Sequence, residues 1–383
     1  MHNIQWLVIG GGRWARIIAH ELIAMLGPED VIRLLVDAPD KDLLNWVSSN
    51  QRNAQLRIIN HIDACSAPTI GVAIVANSAY LHRVFIERAI DSGYNVISEK
   101  PLTFSLRESN YLLDKAIKLG LKIFSANTYL FADYLHIFKR NWLSGKKISR
   151  LHIDWADPQG EFRYGEQKRY DSTTPIIYDV LPHVAAIILA TYGEISILES
   201  TIQVLNGGSE VELRVLTEGL LMTISLSRNS LFRKRIIHCY GPELDVTLNF
   251  TNEPGIVYTG EQTSGTPIIS DADWASKRRP LAEMLYCTKS YFEGGALDDR
   301  LCISAALLGN QLIDSVAREY VEQQICFLNL ERPSKNTLDL PFVYAIKEAS
   351  SLRNRALEYL SDESPLHRLA IIKGNQKNEI FGN

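Results

Sequence analysis

The first 126 residues carry a pattern in which short apolar runs alternate with segments of helical period. The apolar runs occupy residues 4–9, 31–36, 56–59, 71–76, 95–98 and 122–125. The segments between them, at 14–26, 43–47, 81–92 and 106–119, space apolar residues three or four positions apart. Strands that alternate with helices form a parallel sheet with right-handed crossovers. The pattern therefore predicts an α/β domain over residues 1–126.

The pattern changes after residue 126. Residues 129–143 have the period of an amphipathic helix, 149–155 that of a strand, and 176–191 that of another helix. Residues 196–250 alternate apolar and polar positions, as strands do when only one face is buried, so we expect an antiparallel meander. Helices at 281–292 and 302–320 could return to pack on the first domain. These elements predict a second domain over residues 127–330.

The remaining residues, 331–383, contain one more segment of helical period at 342–360. We expect them to form a C-terminal helical extension.

Length and charge narrow the class of protein. With 383 residues the chain exceeds the size at which one core stops growing, which favours two domains. A formal charge of -4 gives no reason to expect nucleic acid or a membrane surface as partner. No apolar run approaches the roughly 20 residues of a membrane-spanning helix. The first strand begins too early to leave room for a signal peptide, so we expect a cytoplasmic protein.

Cysteine and histidine spacing argues against several kinds of site. The five cysteines include no C-x-x-C pair and predict reduced thiols. The nine histidines include no H-x-H or H-E-x-x-H arrangement, and the chain has neither a G-x-S-x-G elbow nor a lysine-bearing phosphate loop. We therefore expect no bound metal, and neither a serine hydrolase nor a P-loop kinase.

A glycine-rich turn follows the first apolar run. The residues after position 9 read GGGRWA, a G-x-G-x-x-A pattern that leads directly into a helical segment. Gly10 permits the tight bend, Gly12 lets the backbone approach phosphates, and Ala15 lets helix and strand pack closely, while free N–H groups of the helix start face the anion. We assign Gly10, Gly12, Arg13, Trp14 and Ala15 to dinucleotide binding. An ordinary strand–helix turn is the alternative.

An acidic residue, Asp37, ends the second apolar run about 20 residues beyond the turn. A carboxylate there accepts hydrogen bonds from the adenosine ribose and repels a 2′-phosphate, which favours NAD over NADP. Lys41 lies near enough in sequence to leave NADP open, and a solvated loop acid is the other interpretation.

Residues 157–174 are unusually polar and aromatic and show no period, so we expect a long loop with a binding role. Arg163 and Lys168 in this segment suggest an anionic substrate, although a solvated surface explains them as well. The following helix carries Asp179 and His183, four residues apart and hence on one face. Pro182 could delay the start of that helix and separate the two.

Glu99-Lys100-Pro101, taken with Asp179-x-x-x-His183, resembles the glucose–fructose oxidoreductase / inositol dehydrogenase (Gfo/Idh/MocA) family of NAD(P)-dependent oxidoreductases. The glycine turn and an apolar strand followed by Asn77…His82 align in the same order, and the resemblance covers residues 4–325.

The resemblance implies a Rossmann domain with a parallel sheet, then an α/β domain with a large, mostly antiparallel open sheet that often serves as an oligomer interface. It also implies a homo-oligomer, a dimer or tetramer, and hydride transfer between NAD and a small polar alcohol. Asn77, His82, Glu99 and Lys100 would then join the cofactor site. The implied substrate site comprises Lys100, Tyr129, Arg163, Lys168, Asp179 and His183.

The residue types suit the implied roles of Lys100, Asp179 and His183 as the catalytic set. A base must take the hydroxyl proton when hydride leaves carbon, and histidine titrates near neutrality. The Lys100 cation would hold the substrate oxygen, and Asp179 would hold the substrate or orient the pair. Two departures stand against the family pattern: Ala186 replaces a common acid, and Leu181-Pro182 replaces a common glycine.

Three functions remain open from the sequence. The leading one is an NAD(P)-dependent oxidoreductase that acts on a sugar, an activated sugar or a biosynthetic intermediate. The second keeps the cofactor but changes the reaction, as in an imine reductase or an NAD-recycling glycosidase. The third is a dinucleotide-binding sensor or scaffold without catalysis.

Overall fold

The computed structural model describes residues 4–27, 30–50, 55–65, 69–158, 161–163, 166–168, 174–206, 208–260 and 264–330. These residues form two compact units. The first unit takes the described residues of Met1–Ala132 together with Arg278–Leu308, and the second takes those of Asp133–Lys277 and of the chain from Gly309 onward. The predicted extension at 331–383, with its helix at 342–360, lies outside the described residues.

The strands are β1 Ile4–Ile9, β2 Val31–Leu35, β3 Gln55–Ile59, β4 Ile70–Val75, β5 Tyr94–Ser98, β6 Ile123–Ser125, β7 Arg150–Pro158, β8 Glu161–Arg163, β9 Glu166–Lys168, β10 Glu199–Leu205, β11 Glu210–Leu216, β12 Leu221–Ser230, β13 Lys234–Gly241, β14 Leu244–Asn249, β15 Ile256–Thr259 and β16 Thr266–Pro267. The helices are α1 Arg13–Met25, α2 Lys41–Asn50, α3 His82–Asp91, α4 Leu106–Lys118, α5 Asp133–Phe138, α6 Ile176–Thr191, α7 Asp271–Ser276, α8 Pro280–Phe292 and α9 Ser304–Leu330.

The first unit is built on a six-stranded sheet in the order β3-β2-β1-β4-β5-β6, and every neighbouring pair is parallel. Its strands are apolar on both faces because helices cover both sides of such a sheet. This confirms the predicted Rossmann-type α/β architecture. The chain leaves β1 toward one edge and β4 toward the other, and open α/β sheets bind ligands at the carboxyl ends of the strands where this reversal occurs.

Later parts of the chain complete the first unit. Helix α8 packs on α1 and on a 3-10 turn at Thr128–Phe131. Phe124 at the edge of the sheet meets Tyr291 and Phe292 of α8 edge to face, with ring centroids 6.0 and 6.2 Å apart. Ala306 at the start of α9 joins the hydrophobic core of the sheet.

The second unit is built on an eight-stranded sheet in the order β10-β11-β12-β7-β13-β14-β15-β16. All its pairs are antiparallel except one, since β12 runs parallel to β7. The mostly antiparallel sheet confirms the predicted fold class. The expectation of a continuous antiparallel meander over residues 196–250 is wrong, because β7 inserts between β12 and β13. A period of two marks the buried face of a strand but does not choose its neighbour.

Two predicted elements differ from the structure. The single helix expected at 129–143 is broken: extended backbone at Ala132 separates the 3-10 turn from α5, and a π-helical turn follows at Lys139–Leu143. The long loop expected at 157–174 instead contains the end of β7 and the antiparallel pair β8–β9. The register of that pair sets Glu161 opposite Lys168 and Arg163 opposite Glu166.

Helix α6 begins at Ile176 and contains Pro182, so the expected delay of its start to Pro182 is wrong. Thirteen of its 16 residues are buried. The buried surroundings hold the helix together despite the missing N–H of the proline. Gly309 of α9 lies against it, where an added Cβ would come within 3.1 Å of the Pro182 Cα.

Candidate functional site

The glycine turn has the geometry that a phosphate cradle requires. Gly10 adopts a φ of 129°, and a Cβ on it would lie 2.9 Å from the carbonyl oxygen of Ala76. Only glycine tolerates both constraints. Gly12, by contrast, has nothing within 4 Å of the place where a Cβ would lie. The turn is therefore packed tightly on the sheet at Gly10 and is open at Gly12.

The start of helix α1 is left without a capping side chain. Gly12 is the N-cap, no side chain caps it, and the first turn carries no acidic residue. The first N–H groups of a helix have no intrahelical acceptor, and the helix dipole favours an anion beside them. These features fit the pyrophosphate of a dinucleotide at Gly12, Arg13, Trp14 and Ala15.

Three buried polar atoms lie near the carboxyl ends of β1, β4 and β5 without a hydrogen-bond partner of regular geometry: Trp14 Nε1, Asn77 Oδ1 and Glu99 Oε1. Burial raises the pKa of Glu99, while the Trp14 N–H and the charge of Lys100 act in the opposite direction. Buried polar atoms are normally paired, so atoms left open at this edge of the sheet are suited to a polar ligand. They fit the nicotinamide and ribose end of the same dinucleotide.

His82 bridges two loops of this edge. Its side chain is buried, and its ring nitrogens Nδ1 and Nε2 lie 2.6 Å from the carbonyl oxygen of Pro101 and 3.1 Å from that of Asn77. The ring thus links the segment after β4 to the Lys100–Pro101 segment after β5. In this position His82 would shape the cofactor site through the backbone.

The other predicted residues of the first unit lie around this edge. Lys100 is half-buried and precedes a cis proline, Pro101. Asp37 is exposed two residues after β2, and its neighbour Val36 lies against the turn, 3.1 Å from where a Cβ on Gly11 would be. Tyr129 lies in the 3-10 turn after β6. Sequence reasoning missed Asn127, whose buried Oδ1 also lacks a partner at the end of β6.

In the second unit, Asp179 and His183 lie on the accessible side of α6. Apart from them, only Leu189 of this helix is not buried. The predicted shared face is thus present. Asp179 Oδ2 accepts a hydrogen bond from Arg228 Nη2 at 3.0 Å, and Arg228 itself is only 3% exposed.

His183 stacks on Trp155, with ring centroids 5.2 Å apart and planes 12° from parallel. The guanidinium of Arg235 lies 3.4 Å from the centroid of the same indole. Arg235 is buried and forms an ion pair with Asp157, which also accepts a hydrogen bond from Trp155 Nε1 at 3.3 Å. The imidazole therefore rests on an aromatic and ionic platform.

Sequence reasoning missed Trp155, Arg228 and Arg235, although a signal was present. Arg228 continues the period of two set by Met222, Ile224 and Leu226, whose side chains face the core. Arg235 shares a period in the same way with the buried residues Ile237 and Cys239. A charged residue that continues the alternate, buried positions of a strand is therefore expected to lie inside the protein. The side chains of Arg163 and Lys168 lie outside the described part of the structure.

Among the described residues, no group of three or more His, Cys, Asp or Glu side chains is placed to hold a metal ion. Nor does any helix in the same residues have the length and apolar character needed to cross a membrane.

Residues 4–127 match the model of a protein family described as an oxidoreductase family with an NAD-binding Rossmann fold. The match confirms the predicted dinucleotide-binding Rossmann fold and the NAD-type cofactor. No curated protein sequence matches the chain at a significant level.

Solved structures share the fold at low identity. UDP-N-acetylglucosamine 3-dehydrogenase GnnA from Acidithiobacillus ferrooxidans is 14% identical with a TM-score of 0.62, covering 82% of this chain and 97% of that one. Biliverdin reductase from Synechocystis sp. PCC 6803, solved with biliverdin and NADP+, is 12% identical with a TM-score of 0.64, covering 82% and 98%. A 3-ketoreductase from Actinomadura kijaniata, solved with TDP-benzene and NADP, is 15% identical with a TM-score of 0.62, covering 82% and 97%.

Proposed function

Residues 4–127 match the model of the Gfo/Idh/MocA family of oxidoreductases, and from that premise we propose that this protein transfers hydride between a nicotinamide cofactor and a small polar alcohol or carbonyl compound. The observation that carries the proposal is one edge of the parallel sheet. There the open turn at Gly12 adjoins three buried polar atoms without partners, on Trp14, Asn77 and Glu99. Bound at that edge, the nicotinamide would supply the hydride acceptor or donor.

The remaining chemistry falls to side chains of the protein. Oxidation of an alcohol requires a base for the hydroxyl proton, and His183, accessible on α6, is the residue type suited to accept it. The half-buried Lys100 is the residue type suited to hold a substrate oxygen and to stabilise negative charge that develops on it. Asp179, four residues before His183, would orient the substrate.

The substrate class we propose is a secondary alcohol of a sugar, an activated sugar or a related biosynthetic intermediate. Among proteins with this fold, one is a UDP-N-acetylglucosamine 3-dehydrogenase and another is a 3-ketoreductase. The predicted preference for an anionic substrate through Arg163 and Lys168 stays a prediction, as does the homo-oligomer. Asp37, exposed after β2, supports NAD over NADP because its carboxylate would repel a 2′-phosphate.

The test measures NAD(H) and NADP(H) binding by the purified protein and their consumption with a panel of sugars and nucleotide sugars. We expect Lys100→Ala and His183→Ala each to lower kcat at least about 100-fold, and His183→Ala to do so while cofactor affinity changes little. Lys118→Ala and His20→Ala, both exposed in the first unit, are the matched controls and should leave kcat unchanged.

The outcomes separate the competing functions. Consumption of NAD(H) in proportion to product supports the dehydrogenase, whereas turnover without net consumption favours an NAD-recycling glycosidase. Cofactor binding without turnover of any panel member would contradict the enzyme and favour a dinucleotide sensor.

A further inference from the structure

We propose that Arg228 is a positioning residue for this reaction, which holds the Asp179 carboxylate in one orientation on the accessible face of α6. In this arrangement Asp179 orients and does not act as the base. The inference rests on the proposed function, because it assigns both residues to that turnover.

The burial of Arg228 explains why the pair is fixed. Its side chain is 2% exposed, and a guanidinium stays charged in such surroundings, so it requires an anionic partner. Nη2 donates to Asp179 Oδ2 at 3.0 Å, and Nη1 donates to the carbonyl oxygen of Thr174 at 2.9 Å. One rigid fork thus holds the first turn of α6 and the segment just before it. Turning the Asp179 carboxylate away would break its ion pair with this buried guanidinium.

The position of Asp179 in the helix acts in the same direction. It lies in the first turn of α6, where the helix dipole stabilises a negative charge. With Oδ2 held by the guanidinium, the carboxylate is a good group for accepting a further hydrogen bond in a fixed direction.

His183 is held separately, which leaves it as the proton acceptor. Its ring stacks on Trp155, and Trp155 is fixed by the buried Arg235 and by Asp157. Among the described residues, the ion pairs beside His183 are those of Arg228 on β12 with Asp179 on α6 and of Arg235 on β13 with Asp157 on β7. Each of the two arginines thus meets a carboxylate.

A double-mutant cycle tests the inference, with Arg228→Met, Asp179→Asn and the double variant. We expect each single change to lower kcat about 10- to 100-fold with the cofactor Kd unchanged, since misorientation by about an ångström has effects of that size. If Arg228 acts through Asp179, the double variant should be within about 2-fold of Asp179→Asn, because residues in one network are not additive. Arg228→Lys should recover part of kcat, since it keeps the charge but not the fork.

The pH profile supplies a readout that a purely structural role would not move. Asp179→Asn should keep the acid limb of kcat/KM, whereas His183→Asn should lose it. Arg214→Met, at an exposed arginine of β11, is the control and should behave as the parent. If Arg228→Met does not fold, Arg228→Lys and its combination with Asp179→Asn complete the cycle.

If the kcat losses of the two single variants multiply in the double variant, the inference is overturned. Loss of the acid limb of kcat/KM in Asp179→Asn would overturn it as well. In both cases the proposed function would stand. Absence of turnover in the parent would instead contradict the proposed function, and the role of Arg228 with it.

Discussion

At the carboxyl edge of the parallel sheet, buried polar atoms of Trp14, Asn77 and Glu99 lack partners, whereas in the second unit buried guanidinium groups each meet a carboxylate. A buried polar group without a partner is unfavourable by about 1–3 kcal/mol, so natural proteins keep few of them. The edge of the first unit is therefore suited to a polar ligand from outside the chain. In the second unit, the ion pairs of Arg228 and Arg235 hold side chains in place.

The largest effect that this comparison predicts is on stability, at the ion pair between Arg235 and Asp157 in the second unit. Asp157→Ala should lower the free energy of unfolding by about 3–5 kcal/mol, because it leaves the charge of the fully buried Arg235 without its carboxylate. Urea denaturation of the purified variant measures the change. The matched control, Lys277→Met, breaks an ion pair with Asp133 in which both side chains are 38% exposed, and it should change stability by less than about 1 kcal/mol. Equal losses in the two variants would contradict the comparison.

The next effect concerns the glycine turn. Gly10→Ala should lower the free energy of unfolding by about 2–3 kcal/mol, because an L-residue is strained at a φ of 129° and its Cβ would meet the Ala76 carbonyl at 2.9 Å. The same denaturation series measures it.

Gly12→Ala is the control for Gly10→Ala and separates fold from binding. It has open space around the new methyl group and an ordinary φ of -70°, so stability should change by less than about 0.5 kcal/mol. NAD(H) affinity measured by titration should nevertheless fall at least about tenfold, because the methyl group would lie where the phosphates approach. Unchanged affinity would place the pyrophosphate elsewhere.

The smallest predicted effect is a gain in stability, which we expect when Glu99 is replaced. Burial raises the pKa of Glu99, so the folded protein binds more protons than the unfolded chain, and stability falls as pH rises above about 4.3, the value of an unfolded glutamate. Glu99→Gln does not ionise, and it should be more stable than the parent by roughly 1–2 kcal/mol at neutral pH and equal to it in acid. Urea denaturation across this pH range measures the difference, and parallel curves for the two proteins would contradict it.

Asp298→Asn is the matched control for Glu99→Gln, since it makes the same chemical change at a paired carboxylate. Hydrogen bonds from Arg300 hold the pKa of Asp298 well below its usual range, against a smaller effect of burial. The stability that ionised Asp298 contributes is thus present above the pKa of an unfolded aspartate, about 3.9. It is lost as pH falls toward the lower pKa of Asp298 in the folded protein. The variant should be less stable than the parent at neutral pH, by about 1 kcal/mol after allowance for solvent screening of these quarter-exposed groups, and the gap should close in acid.

The sequence was sufficient for the first unit because the decisive signals there are local. Each strand of the parallel sheet is one apolar run, and the turn at Gly10 and Gly12 needs residue types at fixed spacing. The family resemblance drawn from these motifs is confirmed over residues 4–127. In the second unit, a local signal was sufficient only on α6, where Asp179 and His183 share a face as their spacing predicts.

The second unit was harder because its pairing is non-local. The parallel contact between β12 and β7 joins Leu226 to Trp155, and no local pattern specifies a partner about 70 residues away. The ion pairs of Arg228 and Arg235 were missed for a different reason. Charged residues usually face solvent, and only the register of these two with Ile224 and Ile237 places them inside.

The chain enters the first unit twice, as residues up to Ala132 and again as Arg278–Leu308. During synthesis, a ribosome completes the whole of Asp133–Lys277 before α8 exists to cover α1. A nascent chain that stops at Ala132 would leave that face of α1 and the Phe124 ring without their partners. The cofactor-binding unit is therefore not one continuous stretch of chain, and a version cut at Ala132 would lack the helix that covers α1.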